Sequence, residues 1–181
     1  ITDLRAFLDK AVFAGRKVDV KLDTVTSIDF DSKKVIGNNE TYAYDCLVMA
    51  AGSKPTFYGV PGAEEHSYKL WSYEDAIVLR EQIQKSFRLA ASETNKEERK
   101  KLLTFYVVGA GFTGIEMVGE LAEYVPSLCE KYEINRNEVS LFNVDILSRP
   151  IPNLPEKLSK KVEKRLNKMG VELLLSTAVA G

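Results

Sequence analysis

A chain of 181 residues with 45% hydrophobic and 28% charged content has the composition of a globular protein, which excludes disordered, collagen-like and disulfide-dense classes. Its 25 basic and 26 acidic side chains leave a net charge of −1, so a broad electrostatic nucleic-acid surface is excluded as well. Two distant cysteines, Cys46 and Cys129, and a single histidine, His66, leave no dithiol motif, zinc ribbon or His-rich metal site.

Both cysteines read as buried small hydrophobes, and His66 falls in a polar stretch that reads as an exposed loop. No apolar run reaches the ~18 residues of a membrane span and no signal-peptide pattern is present, which sets a cytosolic location as the expectation.

In chain order, residues 3–14 form an amphipathic helix with Leu4, Phe7, Leu8, Ala11 and Val12 on one stripe, ended by Gly15. Val18, Val20 and Leu22 alternate with polar residues. Val25, Ile28 and Phe30 continue this half-buried strand pattern to a turn at residues 31–34. Val35 and Ile36 make a short third piece. The run at residues 42–51 is apolar on both faces in its second half, which predicts a strand buried inside a sheet, with Gly52 turning the chain away.

Pro55, Pro61 and Gly62 punctuate a crossover. Ser72 and Asp75 form a capping-box start to a helix carrying Ala76, Leu79, Ile83 and Phe87 on one face. The mixed charges of residues 93–101 read as a solvated loop or helix end. From Leu102 the pattern is strand (102–108), helix (112–125), strand (139–144), helix (156–169) and strand (171–175). This βαβαβ order predicts an α/β fold with a parallel sheet.

The first turn of that unit reads Val107-Val-Gly109-Ala-Gly111-Phe-Thr-Gly114-Ile-Glu116. A GxGxxG between a strand and a helix is the dinucleotide fingerprint. Gly109 permits the tight turn, Gly111 lets the backbone approach a pyrophosphate, and Gly114 brings the helix against the sheet. The helix N-terminus then receives the phosphates. Gly109, Ala110, Gly111, Phe112, Thr113 and Gly114 are therefore the predicted NAD contacts.

An acid at the end of the second strand should bond the adenosine ribose. Asp145 is the candidate, although it lies well beyond the usual ~20 residues after the glycines; residues 126–138, between helix and strand, supply the excess. The alternative is a solvated strand-end aspartate. Ser148 and Arg149 are near enough to raise the question of a 2′-phosphate, so NADH is favoured over NADPH without excluding it. Glu116 lies in the first turns of the helix, where the dipole alone favours a glutamate.

On these residues the sequence resembles the two-dinucleotide-domain flavoproteins, and among them most closely the type II NADH:quinone oxidoreductases. The generic part is Tyr44-Asp-Cys-Leu-Val-Met-Ala-Ala-Gly-Ser-Lys-Pro55, with Val60-Pro-Gly62 and Ser72-Tyr-Glu-Asp-Ala76. More specific are Gly109-Ala-Gly-Phe-Thr-Gly-Ile-Glu116, Gly119-Glu-Leu121 and Pro126-Ser-Leu-Cys-Glu-Lys-Tyr.

The resemblance implies a Rossmann-like NAD(P)-binding domain plus a partial FAD-domain segment. Residues 1–56 would be the tail of the first FAD-domain segment, residues 57–101 a crossover and helix, and residues 102–181 a truncated NADH-binding βαβαβ unit. It implies FAD and NADH as cofactors, with Val25, Ala51 and Gly52 facing FAD, and Glu116 acting catalytically between nicotinamide and isoalloxazine as a proton relay or positioning group.

It also implies hydride transfer from NADH to FAD and electrons onward to quinone, in a parent protein peripheral on the cytoplasmic side of the cell membrane. Quinone and membrane contacts would come from segments outside these residues, with a homodimer among the assemblies allowed. The chain would then be a soluble fragment, colourless or weakly coloured, that binds NADH but has no quinone reductase activity alone. Rival readings are a ferredoxin- or rubredoxin-type NAD(P)H reductase and a non-catalytic NAD(H)-binding redox-sensing module. The disulfide-reductase branch is set aside because its active dithiol is not in this sequence.

Overall fold

A computed structural model describes residues 19–180. The expected helix at residues 3–14, and Val18, lie outside them. The described residues fall into two compact units, one ending at Ser53 and one running from Lys54.

The first unit holds a three-stranded antiparallel sheet of β1 (Val25–Asp29), β2 (Lys34–Gly37) and β3 (Thr41–Ala43), in that order. A bulge interrupts the β1–β2 ladder between Val25 and Ser27. The β1–β2 turn forms because Asp29 accepts the backbone N–H of Asp31 and Ser32, at 3.1 and 2.9 Å, and the Ser32 hydroxyl at 2.6 Å; this is the local bonding by which aspartate nucleates turns. Asp23 plays the same part for the β2–β3 turn. Its carboxylate accepts the N–H groups of Asn39 and Glu40, each at 3.2 Å, and the Tyr42 hydroxyl at 2.8 Å.

Three expectations for this unit fail. Residues 19–23 are not strand, and Leu22, Val25 and Phe30 are exposed rather than half-buried. The run at residues 44–51 is also not a strand, and Val48 and Met49 are exposed. A strand apolar on both faces needs partners on both edges, and among the described residues none pairs with it. Cys46 lies in this segment and is exposed, whereas Cys129 is buried as expected.

The second unit opens with a single helical turn, α1 (Ala63–His66), so the exposed His66 ends a turn of helix rather than sitting in a loop. Helix α2 (Tyr73–Ser92) starts with the full capping box of Ser72 and Asp75 and buries Ile83, Phe87 and Ala90. The charged stretch after it folds as α3 (Lys96–Leu102), capped by the Asn95 side chain and with no buried residue.

Strand β4 (Thr104–Val108), helix α4 (Phe112–Tyr132), strand β5 (Ser140–Val144), helix α5 (Glu156–Lys168) and strand β6 (Val171–Leu174) then alternate. The three strands are parallel in the order β4-β5-β6, with Val108 opposite Val144 and Val144 opposite Leu174. The fold is therefore α/β with the expected parallel βαβαβ unit. Its core joins Phe87 of α2, Val118, Leu121 and Val125 of α4, Leu141 of β5 and Leu166 of α5. Phe87 stacks on Phe105 of β4, ring centroids 5.8 Å apart. The alternate residues of the sheet place Tyr106 against Phe142 at 4.8 Å, with Tyr106 and Val108 exposed.

Helix α4 corrects the expectation that Pro126 begins a separate insert. It continues through Pro126 to Tyr132. A proline inside a helix forfeits one backbone bond and costs about 3 kcal/mol. Val125, Leu128 and Cys129 are all buried, and burying side chains of this size at roughly 1.5–3 kcal/mol each outweighs the loss. Two more helical turns and a 3₁₀ turn at Arg136–Glu138 thus separate the glycines from β5.

Candidate functional site

The parallel register puts the ends of β4 and β5 side by side, and both next turns begin there. Gly109 N–H donates to Val144 O at 2.7 Å. Gly109 has φ +103, a conformation that side-chain-bearing residues rarely adopt, and a Cβ built there meets nothing within 4 Å. A Cβ on Gly111 also meets open space, whereas one on Gly114 would lie 1.9 Å from Gly109 O. Close backbone approach therefore demands glycine at position 114, and the turn leaves a vacant approach beside Gly109 and Gly111.

Gly111 is the N-cap of α4, and no side chain caps this terminus. Phe112 and Thr113 form its first turn and are exposed. The unpaired N–H groups and the positive end of the helix dipole can there receive an anionic group. The space at Gly109 and Gly111, next to an uncapped helix, fits the pyrophosphate of a dinucleotide.

Asp145 follows β5 directly and is half-buried. Its Oδ2 accepts the Ala110 N–H at 2.5 Å and its Oδ1 the Leu147 N–H at 2.8 Å. Its own N–H donates to Leu174 O at 3.1 Å. Asp145, Ala110 and the three glycines are thus gathered at the C-terminal ends of β4 and β5. Glu116, one turn further along α4, is exposed with no ion pair among the described residues, and with Glu120 and Glu123 it lines a groove opposite Lys161 and Arg165 of α5.

Asn143 carries no predicted role, yet it is fully buried and donates through Nδ2 to Val107 O at 3.0 Å and Gly109 O at 2.8 Å. It braces the glycine turn through these two carbonyls, and its Oδ1 has no partner among the described residues. The signal for it was a lone amide among apolar strand residues. Arg149 is committed elsewhere than to a phosphate: it donates to Leu154 O, Ser159 Oγ and Pro152 O at 2.8, 2.9 and 2.6 Å.

Val25, Ala51 and Gly52 belong to the first unit and are all exposed, with Gly52 at φ +77. No helix N-terminus accompanies Gly52 among the described residues of that unit, so these residues alone do not make a flavin pyrophosphate site. Among the described residues no cluster of His, Cys, Asp and Glu could hold a metal ion, and no helix is long and apolar enough to cross a membrane.

The pyridine nucleotide-disulphide oxidoreductase family matches the chain over residues 7–181. A type II NADH:quinone oxidoreductase of Staphylococcus aureus is 32% identical over 170 residues, covering 94% of this chain and 42% of the relative. The protein of the same name from Staphylococcus haemolyticus is 36% identical over 155 residues, covering 86% and 38%. The chain therefore spans about two fifths of the curated relatives it matches. Among solved structures, NDH2 from Plasmodium falciparum in complex with NADH superposes with a TM-score of 0.73 at 21% identity, over 87% of this chain and 34% of that one. At that identity the likeness concerns the fold.

Proposed function

The chain belongs to the pyridine nucleotide-disulphide oxidoreductase family, and from that membership we propose that it supplies the NADH-binding part of a flavin-dependent NADH dehydrogenase of the type II NADH:quinone oxidoreductase kind. The observation that carries the reading is the open glycine turn at an uncapped helix N-terminus, with Asp145 bonded to the same turn. Relatives at 32% and 36% identity bear that name, which favours this reading over a ferredoxin-type reductase or a redox sensor.

In this reading the N–H groups at Gly111, Phe112 and Thr113 hold the pyrophosphate, and Asp145 accepts hydroxyls of the adenosine ribose, which selects NADH over NADPH. Gly109 and Gly114 give the turn its shape, and Ala110 is the point where Asp145 holds it. A bound flavin supplies the hydride acceptor; the protein's contribution is position and electrostatics. Residues 1–56 belong to the flavin domain, with Val25, Ala51 and Gly52 facing FAD, residues 57–101 form the crossover, and residues 102–181 form the NADH domain.

Glu116 extends from the helix that receives the nucleotide and has no ion-pair partner among the described residues. In this role it lies between nicotinamide and flavin, as a proton relay or as the group that positions the two rings. Normal flavin reduction and quinone turnover by a Glu116→Gln variant of the full-length protein would remove that role. The parent protein passes electrons to quinone in a respiratory chain, attached peripherally at the cytoplasmic face of the cell membrane.

Calorimetric titration with NADH and NADPH tests the core of the proposal. Saturable binding of NADH, and weaker binding of NADPH, is expected. Failure to bind either nucleotide overturns it.

A further inference from the structure

The connection between β5 and α5 holds the glycine turn from a second side. Ile151 N–H donates to Ala110 O at 2.8 Å, while Ala110 N–H is held by Asp145. Both backbone polar groups of Ala110, itself 1% exposed, are therefore occupied by this one connection. In a trans peptide the C=O and the following N–H point to opposite sides. Holding Ala110 O thus aims the Gly111 N–H the other way, and that N–H has no acceptor among the described residues.

Ile151 makes this bond from φ +47, a conformation that a β-branched residue adopts only as an outlier. Such strain persists where the surroundings over-determine it. Pro150 and Pro152 flank Ile151; each fixes its own φ and offers no competing N–H. The rest of the constraint comes from Arg149, whose guanidinium bonds Pro152 O, Leu154 O and the hydroxyl of Ser159, 1% exposed on α5. Three of its five donors are used in this way.

We propose that Arg149 is a positioning residue for the nucleotide site: it fixes the connection in the strained form from which Ile151 latches Ala110, and it is not a ligand of a 2′-phosphate. The inference rests on the reading of the glycine turn as a nucleotide site. The arrangement is one of relay, from Ser159 and Arg149 through residues 152–154 to Ile151 and so to the Gly111 N–H.

The test compares wild type with Arg149→Ala, Arg149→Lys and Ser159→Ala, by calorimetry with NADH and with NADPH and by hydrogen exchange at the Ile151 amide. Arg149→Ala should weaken both nucleotides by the same factor, about tenfold, and speed exchange at Ile151 with the β4 and β5 amides unchanged. Arg149→Lys should recover part of the loss, since an ammonium lacks the planar fork.

Should Arg149→Ala fail to fold, Ser159→Ala removes one acceptor only and should move exchange and both affinities in the same direction by a smaller factor. A loss confined to NADPH would make Arg149 a phosphate ligand and overturn the inference. So would unchanged affinities with Ile151 still protected, in a wild type that binds NADH. A wild type that binds neither nucleotide refutes the nucleotide reading itself, and the inference with it.

Discussion

The carboxylate of Asp145 accepts the backbone N–H of Ala110 at 2.5 Å, so the residue at the tip of one strand caps the glycine turn that leaves its neighbour. Its other oxygen takes the Leu147 N–H. Each oxygen keeps a second lone pair, and these face the demand of ribose hydroxyls in the proposed complex. Asp145→Ala removes the cap and the ribose acceptor together. The NADH dissociation constant is expected to rise at least tenfold, the effect of losing about 1.5–3 kcal/mol from a charge-assisted hydrogen bond. Asp145→Asn, which keeps one acceptor, should lose less. Calorimetry decides the matter, and an unchanged affinity in Asp145→Ala would reject the ribose contact.

The three glycines separate stability from binding. A Cβ at Gly114 meets the backbone oxygen of Gly109 at 1.9 Å, and backbone cannot yield cheaply, so Gly114→Ala should cost about 3 kcal/mol or more. Gly109→Ala meets no atom and is strained only by its φ of +103, at about 1–2 kcal/mol. Gly111 has φ −74 and open space, so Gly111→Ala should stay within about 1 kcal/mol of wild type, yet its methyl fills the approach to the turn. Urea unfolding should rank Gly114→Ala lowest and Gly111→Ala highest. NADH titration should find Gly111→Ala impaired despite its stability; normal affinity there would remove the pyrophosphate from this turn.

What could be read from the sequence were the features set by neighbours in the chain. The stripe of Ala76, Leu79, Ile83 and Phe87, the capping pair Ser72 and Asp75, and the spacing of Gly109, Gly111 and Gly114 are local signals, and with the strand and helix runs after Leu102 they give the α/β order. Pro126 is a local stop signal that packing overrides, because Leu128 and Cys129 are buried only if the helix continues. The apolar residues 46–51 signal a sheet interior, but pairing belongs to the partner strands and not to the run itself. Asn143 and Ile151 act on backbone atoms of residues 107–110, more than thirty positions away, and no pattern within either segment encodes that meeting.

In the first unit, Asp23 and Tyr42 set a pH window. The bond to Asp23 raises the Tyr42 phenol to about 12, with lesser contributions from desolvation and the charges of Asp23 and Glu40. Desolvation pushes the Asp23 carboxyl up, but the bonds from Tyr42, Glu40, Asn39 and Thr24 together hold it below its ordinary value. The Asp23 contribution to stability is present above the ordinary carboxylate range near 4 and fades as pH falls through the lowered folded value. The Tyr42 contribution is complete below about 10 and is lost as pH rises through about 12. Tyrosinate absorbance of wild type minus Tyr42→Phe should therefore titrate near pH 12, and Asp23→Asn should bring that difference back toward 10. A Tyr42 that ionises near 10 in wild type would mean the bond is not formed in solution.

Pro126 gives the last expectation, and it runs opposite to the usual effect of a substitution. The proline is exposed, inside a 21-residue helix, so its ring buries nothing that alanine would forfeit. Pro126→Ala restores the N–H that can reach the Ala122 carbonyl one turn back and removes a helix-interior penalty of about 3 kcal/mol. Against this, the freed unfolded chain gains entropy, about 0.4–1 kcal/mol. The balance predicts stabilisation of about 2–2.5 kcal/mol and, for a chain of this size, a rise in Tm of several degrees. NADH affinity should not change, because Asp145 and the glycine turn lie at the other end of α4. A fall in Tm would show that the irregularity at Pro126 is itself needed to seat Val125, Leu128 and Cys129 in the core.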